Sequence, residues 1–260
     1  MFDTIDPLFS LSGFVVGFLV GQTGVGGGSL MTPLLILLFG VHPTTAVGTD
    51  LLYAAATKTV GTLVHGVNQT VNWRIVLRLA AGSVPATALT LLLISQFDIT
   101  GSAASRMITT VLGGMLLLTA LSLVFRRKFL AMAGDRLMGV APHHTATLTA
   151  LTGVVLGVLV TISSVGAGAI GMTALLLLYP RQPMVNLVGS DIAHAVPLTL
   201  LAGIGHWYIG SVNWPLLSSL LTGSVPGIIV GSYLSTRLSD AVLRPILAVT
   251  LIVVGGRLVF

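Results

Sequence analysis

Two aspartates stand where an ionisable group is expensive. Asp50 and Asp191 lie inside long apolar stretches of a 260-residue chain whose seven acids are all Asp. A charged side chain at the centre of a bilayer costs about 2.5–3.5 kcal/mol on insertion scales, so such residues mark substrate or ion paths by default. Helical spacing puts Ala54, Thr57, Gly61 and His65 on the face of Asp50, with Lys58 close to that stripe. The corresponding face around Asp191 carries Ala195, Leu198, Ala202 and His206, with His194 one turn from the acid. Either Asp is expected to carry a proton in part of a working cycle. The alternative is structural, each Asp sitting near a membrane end and accepting backbone or Asn hydrogen bonds. Lys58 has Thr199 as its counterpart in the second stripe, so its charge is unshared. It can meet an anion, pair with Asp50, or snorkel to the membrane surface.

A second chemical feature is the run Gly24-Val25-Gly26-Gly27-Gly28-Ser29. Each glycine in a helix interior costs about 1 kcal/mol relative to alanine, so the preceding apolar segment should stop here and a short helix should start near Ser29. Broken backbone at membrane depth is tolerated where protein or a water-filled cavity covers it. A helix starting there turns free N–H groups and a positive dipole end toward the cavity, which suits an anion. A tight helix crossing is the competing explanation of the glycines.

The chain repeats itself. An offset of 140 residues matches Gly13 with Gly153, Gly17 with Gly157, Val25 with Val165, Gly26 with Gly166, Gly28 with Gly168 and Pro43 with Pro183. After one added residue, an offset of 141 matches Gly48 with Gly189, Asp50 with Asp191, His65 with His206, and Val71-Asn72-Trp73 with Val212-Asn213-Trp214. Paired Gly-interrupted apolar segments at corresponding positions point to a transporter's binding site. The substrate-binding candidates are therefore Gln22, Thr23, Gly26, Gly27, Gly28 and Ser29 in the first half, and Ser163, Ser164, Gly166 and Gly168 in the second. Asp50, Lys58, Asp191 and His194 form the candidate coupling path.

The elements that must position these residues follow from the apolar runs. The sequence predicts helices over Pro7–Gln22, Ser29–Phe39, Ala46–His65, Arg74–Ile94 and Ala103–Phe125, with Thr44 or Thr45 capping the third. The second half predicts Thr145–Ser163, Ala169–Tyr179, Asn186–His206, Trp214–Leu234 and Ala241–Val259. Pro85 should kink the fourth helix. The domains expected are a first membrane repeat over 1–125, a basic cytoplasmic linker over 126–144, and a second membrane repeat over 145–260. Asn72-Trp73 and Asn213-Trp214 look like interface anchors, and His65 and His206 like helix-end residues.

Composition agrees. The chain is 54% hydrophobic and 7% charged, against about 25% charged in a soluble domain. It is read as an all-α polytopic membrane protein of two homologous halves, each a Gly-broken helical hairpin plus three transmembrane helices. The dispersed net charge of +5 suits basic loops near anionic lipid rather than nucleic acid. There is no Cys, which excludes disulfides and thiolate chemistry. The basic first residues and Ala-x-Ala site of a cleaved signal peptide are lacking, so the first segment is expected to stay. No nucleotide motif, HExxH or nucleophile–base constellation is visible, and His143-His144 lacks a third ligand. An enzyme, a metal site and a cofactor are therefore not expected; a monomer or homodimer is.

Basic residues choose between two arrangements. If each broken pair returns to its own side, the halves are inverted. Arg74, Arg78, Arg126, Arg127, Lys128, Arg136, Arg181, Arg237 and Arg244 then share the cytoplasmic side, nine in all, against Arg106 and Arg257 outside. If each pair spans once, the halves are parallel and the count is seven to four. The inverted arrangement is preferred, with both glycine breaks meeting near the midplane.

Two such halves resemble the TauE/SafE family of sulfite and organosulfonate exporters. The likeness rests on Gly21 to Pro33 followed by Gly48-Thr49-Asp50, and on its echo at Val165 to Gly171 with Gly189-Ser190-Asp191. The echo is degraded, with Ala167 for Gly27, Ala169 for Ser29 and Thr173 for Pro33. The resemblance implies a multi-pass carrier of the cell inner membrane. It would export a small sulfur-containing anion, sulfite or an organosulfonate such as sulfoacetate, with proton coupling. A cation or metal-ion permease using Asp50, Asp191, His65, His194 and His206 is the alternative.

Overall fold

The structure, a computed structural model, describes residues 5–23, 29–96, 102–137, 142–166, 168–234 and 240–259. The first half contains α1 (Pro7–Thr23), α2 (Met31–Leu37), α3 (Pro43–Val67), α4 (Trp73–Ile94) and α5 (Ser102–Leu137). The second contains α6 (Pro142–Ser163), α7 (Ala169–Leu178), α8 (Met184–Tyr208), α9 (Trp214–Leu234) and α10 (Asp240–Val259). The fold is all-helical. Among the described residues, five helices or helix segments are long and apolar enough to cross a membrane: Trp73–Ile94, Ser105–Phe125, His144–Ser163, Met184–Tyr208 and Trp214–Leu234.

Several boundaries differ from expectation. The short helix predicted over Ser29–Phe39 is only Met31–Leu37. The helix predicted from Ala46 starts at Pro43, whose missing N–H suits the first helical position; His42 is the cap residue, in place of Thr44 or Thr45. The stretch read as a linker is helical through Leu137. Arg126-Arg127-Lys128 ends the apolar run but not the helix, because a helix outside the lipid needs no apolar face. Helix α4 runs on through Pro85. The Asn caps are as expected: Asn72 Oδ1 accepts from the Arg74 N–H at 3.2 Å, and Asn213 Oδ1 from the Leu216 N–H at 3.0 Å.

Each half packs its first helix on the fourth helix of the other. Gly13, Gly17 and Gly21 of α1 pass against Leu220, Ser224 and Ile228 of α9. Gly153 and Gly157 of α6 pass against Leu79 and Ser83 of α4. A methyl group on Gly13 or Gly153 would lie 2.1 Å from the facing carbonyl oxygen, so only glycine permits these crossings. Both contacts advance in step along the two helices, so α1 is parallel to α9 and α6 to α4.

Helices α3 and α8 form the centre of the molecule and run antiparallel. Gly48 meets the Cβ of His206, Leu52 meets Gly203, and Gly61 meets Ile192. Because Gly61 also meets Ile228 and Thr57 bonds to Ser224 at 2.7 Å, α3 is parallel to α9. Likewise Ser83 meets His194 and Leu91 meets Gly205, so α4 is parallel to α8. The ends of the pair are tied by matching bonds. The Asn72 N–H donates to Ser190 Oγ at 2.8 Å, and the Asn213 N–H donates to Thr49 Oγ1 at 3.0 Å.

Candidate functional site

The faces predicted from spacing are buried faces. Asp50, Ala54, Thr57, Lys58 and His65 are all buried, as are Asp191, His194, Ala195, Leu198, Ala202 and His206. Lys58 is 2% exposed, so it does not snorkel. It lies within electrostatic reach of Asp191 and, more weakly, of Asp50. The antiparallel register explains that order. It sets Asp191 level with Leu63 of α3, five residues from Lys58 or about 7 Å along the axis, while Asp50 is eight residues away, about 12 Å. The three charges thus follow one another along the α3–α8 seam, with Lys58 between the acids.

The two carboxylates differ in their hydrogen bonds. Asp50 Oδ2 accepts from the hydroxyl of Thr32, near the start of α2, and from the hydroxyl of Ser164, just after α6, at 2.9 Å. Its Oδ1 is buried and has no hydrogen-bond partner among the described residues. Neither oxygen of Asp191 has one. A methyl group on Gly171 would lie 2.8 Å from Asp191 Oδ1, so α7 passes against this acid with only a hydrogen between. His194 Nε2 bonds to Ser83 Oγ at 2.9 Å, and its Nδ1 is buried without a partner among the described residues.

The second break runs from one acid to the other. Ser164 begins it and holds Asp50; Gly171 follows it and abuts Asp191. Its backbone turns at Ser164 (φ 58) and Gly166 (φ 128), the left-handed region that glycine enters freely. Ser163 braces the turn: its hydroxyl donates to the Leu159 carbonyl at 2.8 Å and accepts from the Val165 N–H at 3.2 Å. The N–H groups of Gly168 and Gly171 both donate to the Gly166 carbonyl, at 2.8 and 3.2 Å. Two donors near this helix start are therefore engaged within the break.

The first break is described only at its flanks. Gly26, Gly27 and Gly28 lie outside the described residues, as does the side chain of Thr23. Gln22 before the break is buried, and neither its amide nitrogen nor its oxygen has a hydrogen-bond partner among the described residues. Ser29 after it is 2% exposed. Thr32 was not among the predicted site residues. Its signal lay in the sequence, since a hydroxyl just after the break of the first half has Met172 as its counterpart in the second.

His65 and His206 stand at opposite ends of the seam. His65 Nδ1 bonds to Thr70 Oγ1 at 2.8 Å, while His206 Nε2 bonds to the Thr161 carbonyl at 3.0 Å. Among the described residues, no group of three or more His, Cys, Asp or Glu is placed to hold a metal ion.

The sequence pattern of the sulfite exporter TauE/SafE family matches residues 9–258, both halves and both breaks included. The chain belongs to this family. It is a multi-pass membrane transporter by family and by its apolar helices. It is similar to "Probable membrane transporter protein YjnA" of Bacillus subtilis (strain 168), with 39% identity over 96% of this chain and 98% of that one. YdhB of the same organism, another "Probable membrane transporter protein", is 27% identical over 95% of this chain and 97% of its own. A "Probable membrane transporter protein" of Xylella fastidiosa (strain Temecula1 / ATCC 700964) is 27% identical over 88% and 84%. No solved structure matches the chain.

Proposed function

We propose that this TauE/SafE member is a secondary carrier exporting a small sulfur-containing anion, sulfite or an organosulfonate such as sulfoacetate, across the cell inner membrane. The observation that carries this reading is the buried sequence Asp50–Lys58–Asp191 along the α3–α8 seam, with Thr32, Ser164 and Gly171 against its acids. Lys58 supplies the charge for the anion. The unpartnered amide of Gln22 supplies a neutral donor, and Gly166 and Gly168 of the second break belong to the proposed lining. Gly26, Gly27, Gly28, Ser29, Ser163, Ser164 and Thr23 are the rest of the proposed lining.

Charge arithmetic ties anion to proton. Two carboxylates and one ammonium sum to −1, which repels an anion in low dielectric. One proton on the carboxylates makes the cluster neutral, and a second makes it positive. Loading an anion therefore draws protons onto Asp50 and Asp191. His194, one turn from Asp191, belongs to this polar path.

We infer further that the halves are inverted across the bilayer. Equivalent helices α3 and α8 run antiparallel, and the nine-to-two count of basic residues puts the 126–144 region in the cytoplasm.

Radiolabelled sulfite and sulfoacetate counterflow in liposomes, with a trapped pH dye, tests the assignment. Exchange of one of these anions with proton movement is expected, and Asp50→Asn and Asp191→Asn should weaken the dependence on a pH gradient. Divalent-metal uptake with no anion exchange would instead favour a cation permease.

A further inference from the structure

The two ends of the molecule are related by the repeat but closed by different chemistry. The repeat offset pairs Phe9 with Thr149, Phe39 with Tyr179, and Ser219 with Arg78. At one end Phe9 and Phe39 meet edge to face, with ring centroids 4.6 Å apart. Ser219 there donates to the Pro215 carbonyl and accepts from the Asp6 N–H. That closure is aromatic and carries no cation; among these residues the one ionisable group is the Asp6 carboxylate, which accepts from the Leu8 N–H.

At the other end the same three positions form a directed polar chain. The Thr149 hydroxyl donates to the Thr145 carbonyl at 2.6 Å, so toward Tyr179 it can only accept. The Tyr179 hydroxyl, 2.8 Å away, must then donate to Thr149, and its remaining lone pairs face Arg78. Arg78 Nη1 donates to Tyr179 Oη at 3.2 Å. A guanidinium has five N–H donors. Among the described residues, this single bond to a neutral oxygen is the only one Arg78 makes. Among the described residues this half-buried cation has one long neutral bond and no carboxylate to match it. Arg74, one turn earlier on α4, and Arg181, two residues after Tyr179, are exposed at the same end. Their counterparts at the aromatic end are Pro215 and Val41.

We propose that Arg78 is an anion-capture site at the basic mouth of the carrier, distinct from the buried cluster and loading it. Its ligand class is a small oxyanion with at least two free oxygens, such as sulfite or a sulfonate, which the planar fork of arginine grips bidentately. Tyr179 holds the fork in place while the site is empty, and its neutral bond yields to the charged one. The mouths thereby differ in affinity, and the anion loads from the arginine end. This inference rests on the anion-carrier reading above.

The test is sulfite and methanesulfonate counterflow by the full chain in right-side-out and inside-out vesicles. Arg78→Gln keeps an N–H donor for Tyr179 but removes the charge. It should raise KM about tenfold or more at the basic mouth, as expected for losing a charged hydrogen bond, and leave KM at the other mouth within about twofold. Arg78→Lys keeps the charge but loses the fork, so its KM at the basic mouth should fall between those of wild type and the Gln variant, with KM at the other mouth within about twofold of wild type. Wild-type KM in Arg78→Gln overturns the proposal. So does an equal loss in the Gln and Lys variants at both mouths, which would make Arg78 a structural latch. Wild-type protein carrying neither anion would overturn the carrier reading and this inference together, whereas normal wild-type transport with an unaffected Gln variant would sink this inference alone.

Discussion

The hydroxyl of Ser164, on the break of the second half, donates to the carboxylate of Asp50, on α3 of the first half, at 2.9 Å. Thr32 donates to the same oxygen. By the repeat offset, the counterparts of Ser164 and Thr32 are Gly24 and Met172, neither of which has a side-chain hydroxyl. The equivalent acid, Asp191, accordingly has no hydrogen bond among the described residues and acts more strongly on Lys58 than Asp50 does. Two acids equivalent in sequence therefore occupy different environments. Asp50 is held by hydroxyls and Asp191 by a charge.

Stability should separate them. Asp50→Asn keeps an oxygen to accept from Thr32 and Ser164, so a loss of about 1 kcal/mol or less is expected. Asp191→Asn removes the stronger of the two counter-charges acting on Lys58 and should cost more, about 1–3 kcal/mol, the range for coupled groups. Thermal unfolding in detergent, with the two variants side by side, measures the order; the reverse order would place Lys58 with Asp50.

Lys58→Met should be about as damaging as Asp191→Asn, because it leaves buried carboxylates without a cation. Combined with Asp191→Asn it should recover a large part of the loss, giving a coupling energy of about 1–3 kcal/mol in a double-mutant cycle. Additive losses would mean that the two groups do not interact. The recovered protein should remain unable to exchange sulfite, since the charge offered to the anion is gone.

Much of this arrangement was legible in the sequence. Matched Gly, Pro, Asp and Trp residues gave away the repeat, because Gly and Pro answer to backbone geometry and Asp and Trp to particular polar or interfacial positions. The buried stripes of Asp50 and Asp191 were readable from helical spacing. Their partners were not. Spacing shows that Gly13 and Gly17 present a flat surface, but not that α9, more than 190 residues away, covers it. The preference of Lys58 for Asp191 over Asp50 depends on the α3–α8 register, which no local pattern carries. The helix beyond Arg126 was hidden because apolar runs report lipid contact, and that helix outlasts its apolar run.

Glycine substitutions should sort by what each would meet. Gly13→Ala and Gly153→Ala drive a methyl group into a facing carbonyl and should destabilise by about 1–3 kcal/mol or more. Gly114→Ala on α5 meets nothing within 4 Å and should be neutral or stabilising by up to about 1 kcal/mol through helix propensity. Gly171→Ala crowds Asp191 and should impair transport more than it lowers the melting temperature. Equal behaviour of Gly13→Ala and Gly114→Ala would contradict the α1–α9 contact.

The inverted arrangement makes the most direct prediction, and the lack of native Cys makes it clean to test. Asn68 follows α3 and Gln182 precedes α8; because α3 and α8 are antiparallel, the end of one lies beside the start of the other. Gln96 follows α4, and Tyr208, 91% exposed, ends α8; both lie at the opposite end. Single cysteines at Asn68 and Gln182 should therefore react with an impermeant maleimide from one side of intact cells. Those at Gln96 and Tyr208 should react only from the other. If the halves were parallel, Gln182 would change sides relative to Asn68, and Tyr208 would join Asn68. Asn68 and Gln182 are expected on the cytoplasmic side with the basic residues, so they should label only after the membrane is opened. Labelling of Gln182 but not Asn68 in intact cells would dissolve the antiparallel seam. The ordering of Asp50, Lys58 and Asp191 along a transport path would go with it.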